Sequence, residues 1–116
     1  MASPKEMELL REWQNRLGLT DWTIALSTGL FELSLEDAAG CTSYVEVTKS
    51  AAIEIIDKRV YGTRIIPYDF EKILVHELLH LKFCLLFDND DSLQSRLVHQ
   101  LIDDLARALV DAKRRR

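Results

Sequence analysis

Residues 69–87 read DFEKILVHELLHLKFCLLF, and inside them stands His76-Glu77-Leu78-Leu79-His80. No Gly or Pro interrupts the run from Phe70 to Phe87. Asp69 is placed to cap a first turn, and Ile73, Leu74, Leu78, Leu81 and Leu85 recur on one face at helical spacing. The stretch therefore predicts an amphipathic helix. Side chains four residues apart share a helix face, so both imidazoles can reach one divalent ion while Glu77 stands beside a metal-bound water. The bland alternative is a pair of histidines on an ordinary buried helix. Two imidazoles flanking a carboxylate in so apolar a run are hard to place without a metal.

Working outward, Ser3-Pro4-Lys5-Glu6 has the form of a capping box with Pro in the first turn. Met7, Leu10, Trp13 (or Gln14) and Leu17 follow at helical spacing as far as Gly18, which predicts a first amphipathic helix. The period then changes. Trp22, Ile24 and Leu26 alternate with polar or small residues as a half-buried strand does, and Phe31, Leu33 and Leu35 repeat the pattern more weakly. Further strands are expected at Cys41 to Val47 and Ala51 to Ile56, joined by a turn at Thr48-Lys49-Ser50, with a loop from Asp57 to Tyr68 leading into the HELLH helix. A last helix is expected from about Ser92 to Lys113, opened by a second box-like cap at Asp91-Ser92-Leu93-Gln94. Leu93, Leu97, Leu101, Leu105, Ala108 and Leu109 are its expected inward face.

A catalytic zinc takes three protein ligands and leaves one position open, so the HELLH pair needs a third. The remaining histidine is His99. The short polar turn Asp88-Asn89-Asp90-Asp91 predicts an antiparallel hairpin of the last two helices. Folding about the middle of that turn sets His80 opposite His99 and His76 opposite Asp103, and His99 and Asp103 share a helix face. His99 is accordingly the expected third ligand, with Asp103 as acceptor for the far nitrogen of His76. Asp103 itself, Cys41 and Cys84 remain alternative donors, while Asp104, about 100° round the helix, is expected to face solvent.

The chain has 116 residues, 47% of them hydrophobic, which suits one domain spanning 1–116 with a core of its own. Two cysteines make no secreted disulfide framework. No basic segment followed by an apolar core opens the chain, and no apolar run has the length of a bilayer span, so a soluble cytoplasmic protein with no membrane partner is expected. A formal net charge of −4 argues against nucleic-acid binding as its main business. The basic end, Lys113-Arg114-Arg115-Arg116, is expected to be a solvated tail complementing the helix dipole.

With these residues placed, the layout resembles the minimal zincin-type metallopeptidases, one-domain proteins related to the gluzincins and found among phage and bacterial metallopeptidases. The resemblance covers most of the chain. It implies an α+β, zincin-like fold: an N-terminal helix, a small twisted sheet of three to four strands, the HExxH helix, and a C-terminal helix forming an antiparallel hairpin with it. Gluzincins supply the third ligand as Glu, followed four residues later by an Asp that supports a zinc-binding His. His99 stands at the first of these positions and Asp103 at the second. The family's edge strand, which pairs with extended peptide substrate, maps onto Ala51-Ala52-Ile53-Glu54-Ile55-Ile56.

The implied activity is hydrolysis of peptide bonds in a peptide or protein substrate, with Zn²⁺ at His76, His80 and His99 and with Glu77 as general base on zinc-bound water. Tyr61 and Tyr68 are candidate donors to the oxyanion. So short a chain implies a shallow cleft, and with it a narrow substrate range, a protein partner that completes the cleft, or feeble activity on generic proteins. Two other readings stand beside this one. A deformylase-like amide hydrolase would use Cys41, in Gly40-Cys41-Thr42-Ser43, as third ligand. A non-hydrolytic zinc module would act by binding, for example on a repressor or host factor, but would have no use for Glu77.

Overall fold

A computed structural model describes residues 2–29, 39–84 and 93–115. It is a mixed α+β arrangement of four helices and a three-stranded sheet, in the order α1 (Pro4–Arg16), β1 (Thr23–Gly29), β2 (Gly40–Val45), β3 (Ser50–Ile56), α2 (Lys58–Tyr61), α3 (Phe70–Lys82) and α4 (Leu93–Arg114). The alternation at Phe31, Leu33 and Leu35, the turn Asp88 to Asp91, and Leu85 all lie outside the described residues.

Local chemistry sets the start of α1 as the sequence implies. Ser3 Oγ accepts from the Glu6 amide at 3.2 Å, and the Ser3 amide donates to Glu6 Oε1 at 2.7 Å, a reciprocal cap. Trp13 is the buried residue of the pair left open by the spacing. Gln14 instead donates to the carbonyls of Leu19 and Trp22 at 3.1 and 3.0 Å, tying the helix exit to the start of β1. Gly18 makes that exit possible with a φ of 70°, a left-handed conformation that costs glycine nothing extra.

The sheet has the order β1-β3-β2, with β1 parallel and β2 antiparallel to β3. This corrects the expectation that Ala51 to Ile56 is the edge strand: it is central, and β2 is an edge among the described residues. The reason lies in its side chains. Ile53 and Ile55 are fully buried, and a strand so apolar on its inner face gains most with a neighbour on each side. β2 also ends two residues sooner than expected, at Val45. Residues 46–49 form a turn in which the Lys49 amide donates to the Glu46 carbonyl at 3.1 Å, leaving Val47 exposed.

Helices α3 and α4 are antiparallel. Asp69 meets Arg114, Lys72 meets Asp111, His76 meets Asp103 and His80 meets His99, a steady pairing along both helices. Asp69 caps α3 by accepting from the Lys72 amide at 3.2 Å. The α-helix ends at Lys82, with Phe83 as its C-terminal cap.

The inward face of α4 also differs from expectation. Leu93, Leu97 and Leu101 are more than half exposed, and Ala108 is exposed too. Ser95, Ile102, Ala106 and Val110 are buried, flanked by Val98, Leu105 and Leu109. The helix carries two apolar lines, and packing against α3 and α1 decides which one enters the core. That core joins Leu10 and Trp13 of α1 to Leu26, Ile53 and Ile55 of the sheet and to Leu74, Val75 and Leu78 of α3.

The basic end is likewise not simply solvated. Lys113 Nζ donates to Glu71 Oε2 at 2.5 Å and to Glu12 Oε1 at 3.0 Å, while Arg114 bonds Asp69 and reaches Glu71 Oε1 at 3.1 Å. Glu71 also accepts from the Trp13 indole at 2.7 Å. This buried carboxylate thus clamps the ends of α1, α3 and α4 together. No helix among the described residues is long and apolar enough to cross a membrane.

Candidate metal centre

His76 and His80 stand one turn apart on α3, and α4 carries His99 to them. The three ring centroids form a nearly equilateral triangle with sides of 5.0, 5.2 and 5.2 Å. One nitrogen from each ring lies within 4.8 Å of the other two, and among the described residues this is the one group of three or more potential ligands so gathered. His76 and His80 are half-buried and His99 is exposed. The cluster therefore opens outward on the α4 side.

The donor set fits a divalent ion of the zinc type. Imidazole ligates in its neutral form. Burial, reinforced by His99, holds His76 below the ordinary imidazole range against the opposing pull of Asp103. Burial, with His76 and His99 adding to it, brings His80 down to about 4. Asp103 Oδ1 lies 3.4 Å from His76 Nδ1. A proton held there leaves Nε2 as the ligating atom, which is how ligating histidines are ordinarily oriented. The other Asp103 oxygen is held by Arg107, and Asp103 is not in the group of potential ligands.

Glu77, between the two α3 histidines, is 6% exposed and points to β2. Thr42 Oγ1 donates to its Oε1 at 2.6 Å. Burial pushes the Glu77 carboxyl up to about 7, and the Thr42 hydrogen bond works in the opposite direction. A carboxyl poised near neutrality can both take up and release a proton under ordinary conditions.

No family model, curated protein or solved structure matches this chain significantly.

The other candidates fall into place around the triangle. Cys41 pairs with Glu54 in the β2–β3 ladder and is exposed, so strand alternation puts it on the sheet face away from the buried Ile53 and Ile55. Burial, then Glu77 and Glu54, raises its thiol pKa, which disfavours the ligating thiolate. Neither Cys41 nor Cys84 belongs to the ligand group. The hydroxyls of Tyr61 and Tyr68 donate to the carbonyls of Ile66 and Ile56 at 2.6 and 3.0 Å. Both hydroxyls are thus engaged with backbone carbonyls. Asp104 is exposed, 3.9 Å from Arg107.

Sequence reasoning passed over two residues of the site, Thr42 and Gly40. A Cβ on Gly40 would lie 3.0 Å from both Cγ and Oε2 of Glu77. A glycine inside a strand marks a close approach of this kind, and its two-residue spacing from Thr42 was the available signal.

Proposed function

We propose that this chain is a zinc-dependent peptidase of the zincin kind, acting on peptide or protein substrates in the cytoplasm. The observation that carries the reading is the meeting of three side chains from two helices beside a buried carboxylate. His99 completes the HExxH pair while Glu77, one residue from a ligand, stays out of the ligand set. A purely structural zinc site would close its fourth position and would have no need of such a group.

His76, His80 and His99 would hold the ion, with Asp103 fixing the orientation of His76. When bound, zinc supplies a Lewis acid that polarises a scissile carbonyl and lets a water lose its proton near neutral pH. With the ion bound, Glu77 would take a proton from the water as its oxygen attacks the carbonyl carbon, and would hand it to the amine nitrogen as the C–N bond breaks. Its burial between α3 and β2 keeps bulk water from competing for the carboxylate.

The substrate strand of zincins pairs with a sheet edge, and here the strand that borders Glu77 is β2. An extended peptide adding to the outer side of β2 would bring its backbone past the histidines, with main-chain hydrogen bonds giving affinity irrespective of sequence. The gluzincin-like order of elements supports the same assignment, His99 taking the place of the usual Glu.

Glu77→Gln tests the reading. The variant is expected to keep its zinc, since Glu77 is not a ligand, and to lose hydrolysis of a mixed peptide pool. Equal activity of parent and variant would refute the role of Glu77. A parent that binds zinc and cleaves nothing would favour the non-hydrolytic zinc module.

A further inference from the structure

Two residues of β2 that the HExxH pattern leaves out are built around Glu77. Gly40 and Thr42 pair with Ile55 and Ile53 of β3, which are fully buried. Residues directly opposite on an antiparallel pair share a face, so positions 40 and 42 lie on the side that packs against α3. From there Thr42 Oγ1 donates to Glu77 Oε1 at 2.6 Å, and Gly40 stands so close that a Cβ would meet Oε2 at 3.0 Å. A glutamate side chain rotates about three torsions, whereas a β-branched threonine on a strand has a restricted χ1 and aims its hydroxyl in a fixed direction.

We infer that Thr42 is the positioning residue for Glu77: its hydroxyl fixes one carboxylate oxygen, Gly40 leaves room for the other, and β2 thereby sets the direction in which the Glu77 carboxylate faces. The kinetic consequence rests on the peptidase reading. The positioning itself is a property of the chain with or without a substrate.

The assignment has a chemical logic beyond fit. A carboxylate at 6% exposure needs a donor to offset its burial. A lysine or arginine in that place would hold the carboxylate as a tight ion pair and spoil it as a base, whereas a neutral hydroxyl orients it and leaves it able to accept a proton. Oε1 is engaged by Thr42, so Oε2 remains for the proton. Misplacing a reacting group by about 1 Å can cost about a hundredfold in rate, so the loss should show in turnover and not in substrate binding.

The test compares Thr42→Val, Thr42→Ser and Gly40→Ala in the full zinc-loaded chain. Zinc content, melting temperature, kcat and KM on a pool of internally quenched fluorescent peptides, and crystal structures of parent and Thr42→Val are measured. Thr42→Val is expected to keep its zinc and its melting temperature, to lose about ten- to a hundredfold in kcat, and to hold KM within about threefold. Its Glu77 carboxylate should have turned away from β2. Thr42→Ser, which restores the hydroxyl, should recover kcat to within about threefold, and Gly40→Ala should fall as Thr42→Val does. Parental kcat in Thr42→Val, or an unmoved carboxylate in its crystal structure, overturns the inference. So does a loss of zinc or of thermal stability that tracks the loss of kcat. If Thr42→Val does not fold, Thr42→Ala is read in the same way. A parent inert towards every peptide refutes the peptidase reading instead, and the two crystal structures alone then decide the positioning.

Discussion

Replacing His99 by alanine separates a metal centre from three histidines that happen to meet. His99 is exposed on α4, so its removal opens no core cavity and should change the stability of the metal-free chain by no more than about 0.5 kcal/mol. Zinc affinity should respond far more. Four-ligand zinc sites bind with about 10–16 kcal/mol, or about 3 kcal/mol per ligand, and losing one imidazole of the triangle should weaken binding by about two orders of magnitude. At free zinc about 100-fold above the parent's Kd, binding stabilises the parent by about 2.7 kcal/mol and the variant by about 0.4 kcal/mol. At about 4 °C per kcal/mol for a chain of this size, zinc should raise the parent's melting temperature by about 10 °C and the variant's by about 2 °C. Thermal melts followed by circular dichroism, with elemental analysis of protein purified without a histidine tag, give both quantities. A His99→Ala variant that keeps one zinc per chain and the parental rise would refute the three-histidine assignment. Absence of zinc in the parent after reconstitution would refute the centre altogether.

Three further outcomes follow from the packing and the charges. Asp103→Ala should weaken zinc binding by about 10- to 100-fold in a chelator competition, because it removes the acceptor that orients His76. Ile102→Ala, at a fully buried position, should cost about 2–5 kcal/mol in urea unfolding. Leu97→Ala, more than half exposed, should cost no more than about 0.5 kcal/mol, and a reversal of that order would put the wrong face of α4 in the core. Burial works to raise the carboxyl pKa values of Asp69 and Glu71. Arg114 for both, with Lys113 and the Trp13 indole for Glu71, outweighs it and holds both below the usual range. Their folded pKa values are therefore lower than the unfolded ones, so the unfolded chain binds more protons in between. The stability they contribute is full above the ordinary carboxylate range and is lost as pH falls through the folded values. The gap between the parent and Glu71→Gln in urea midpoints should accordingly be widest near neutral pH and close in strong acid; a gap that widens in acid would contradict the clamp.

Much of this was legible one element at a time. The cap at Ser3, the exit at Gly18 and the cap at Asp69 follow from short-range hydrogen bonding, and that physics is fully present in a few consecutive residues. The facing pairs of the last two helices were also legible, because positions 80 and 99, and 76 and 103, are evenly spaced about the polar sequence Asp88-Asn89-Asp90-Asp91. His80 does meet His99, and His76 does meet Asp103. Where the reading failed, two answers were locally equivalent. Leu93, Leu97 and Leu101 make as good an apolar line as the one that is buried, and only packing against α3 and α1 distinguishes them. Nothing within Ala51 to Ile56 says whether one strand or two will lie beside it.

The sequence by itself determined the helix that carries His76, Glu77 and His80, the partner helix that carries His99 and Asp103, and the heights at which they face each other, because helical periodicity and the short polar sequence Asp88-Asn89-Asp90-Asp91 are both read from a few consecutive residues. Only the tertiary structure decided that β3 is central, that β2 comes to lie against α3, and that Thr42 and Gly40 enclose the Glu77 carboxylate. Those contacts join residues 35 and 37 positions apart in the chain, and they form only when burial of Ile53, Ile55, Leu74 and Leu78 in one core brings sheet and helix together.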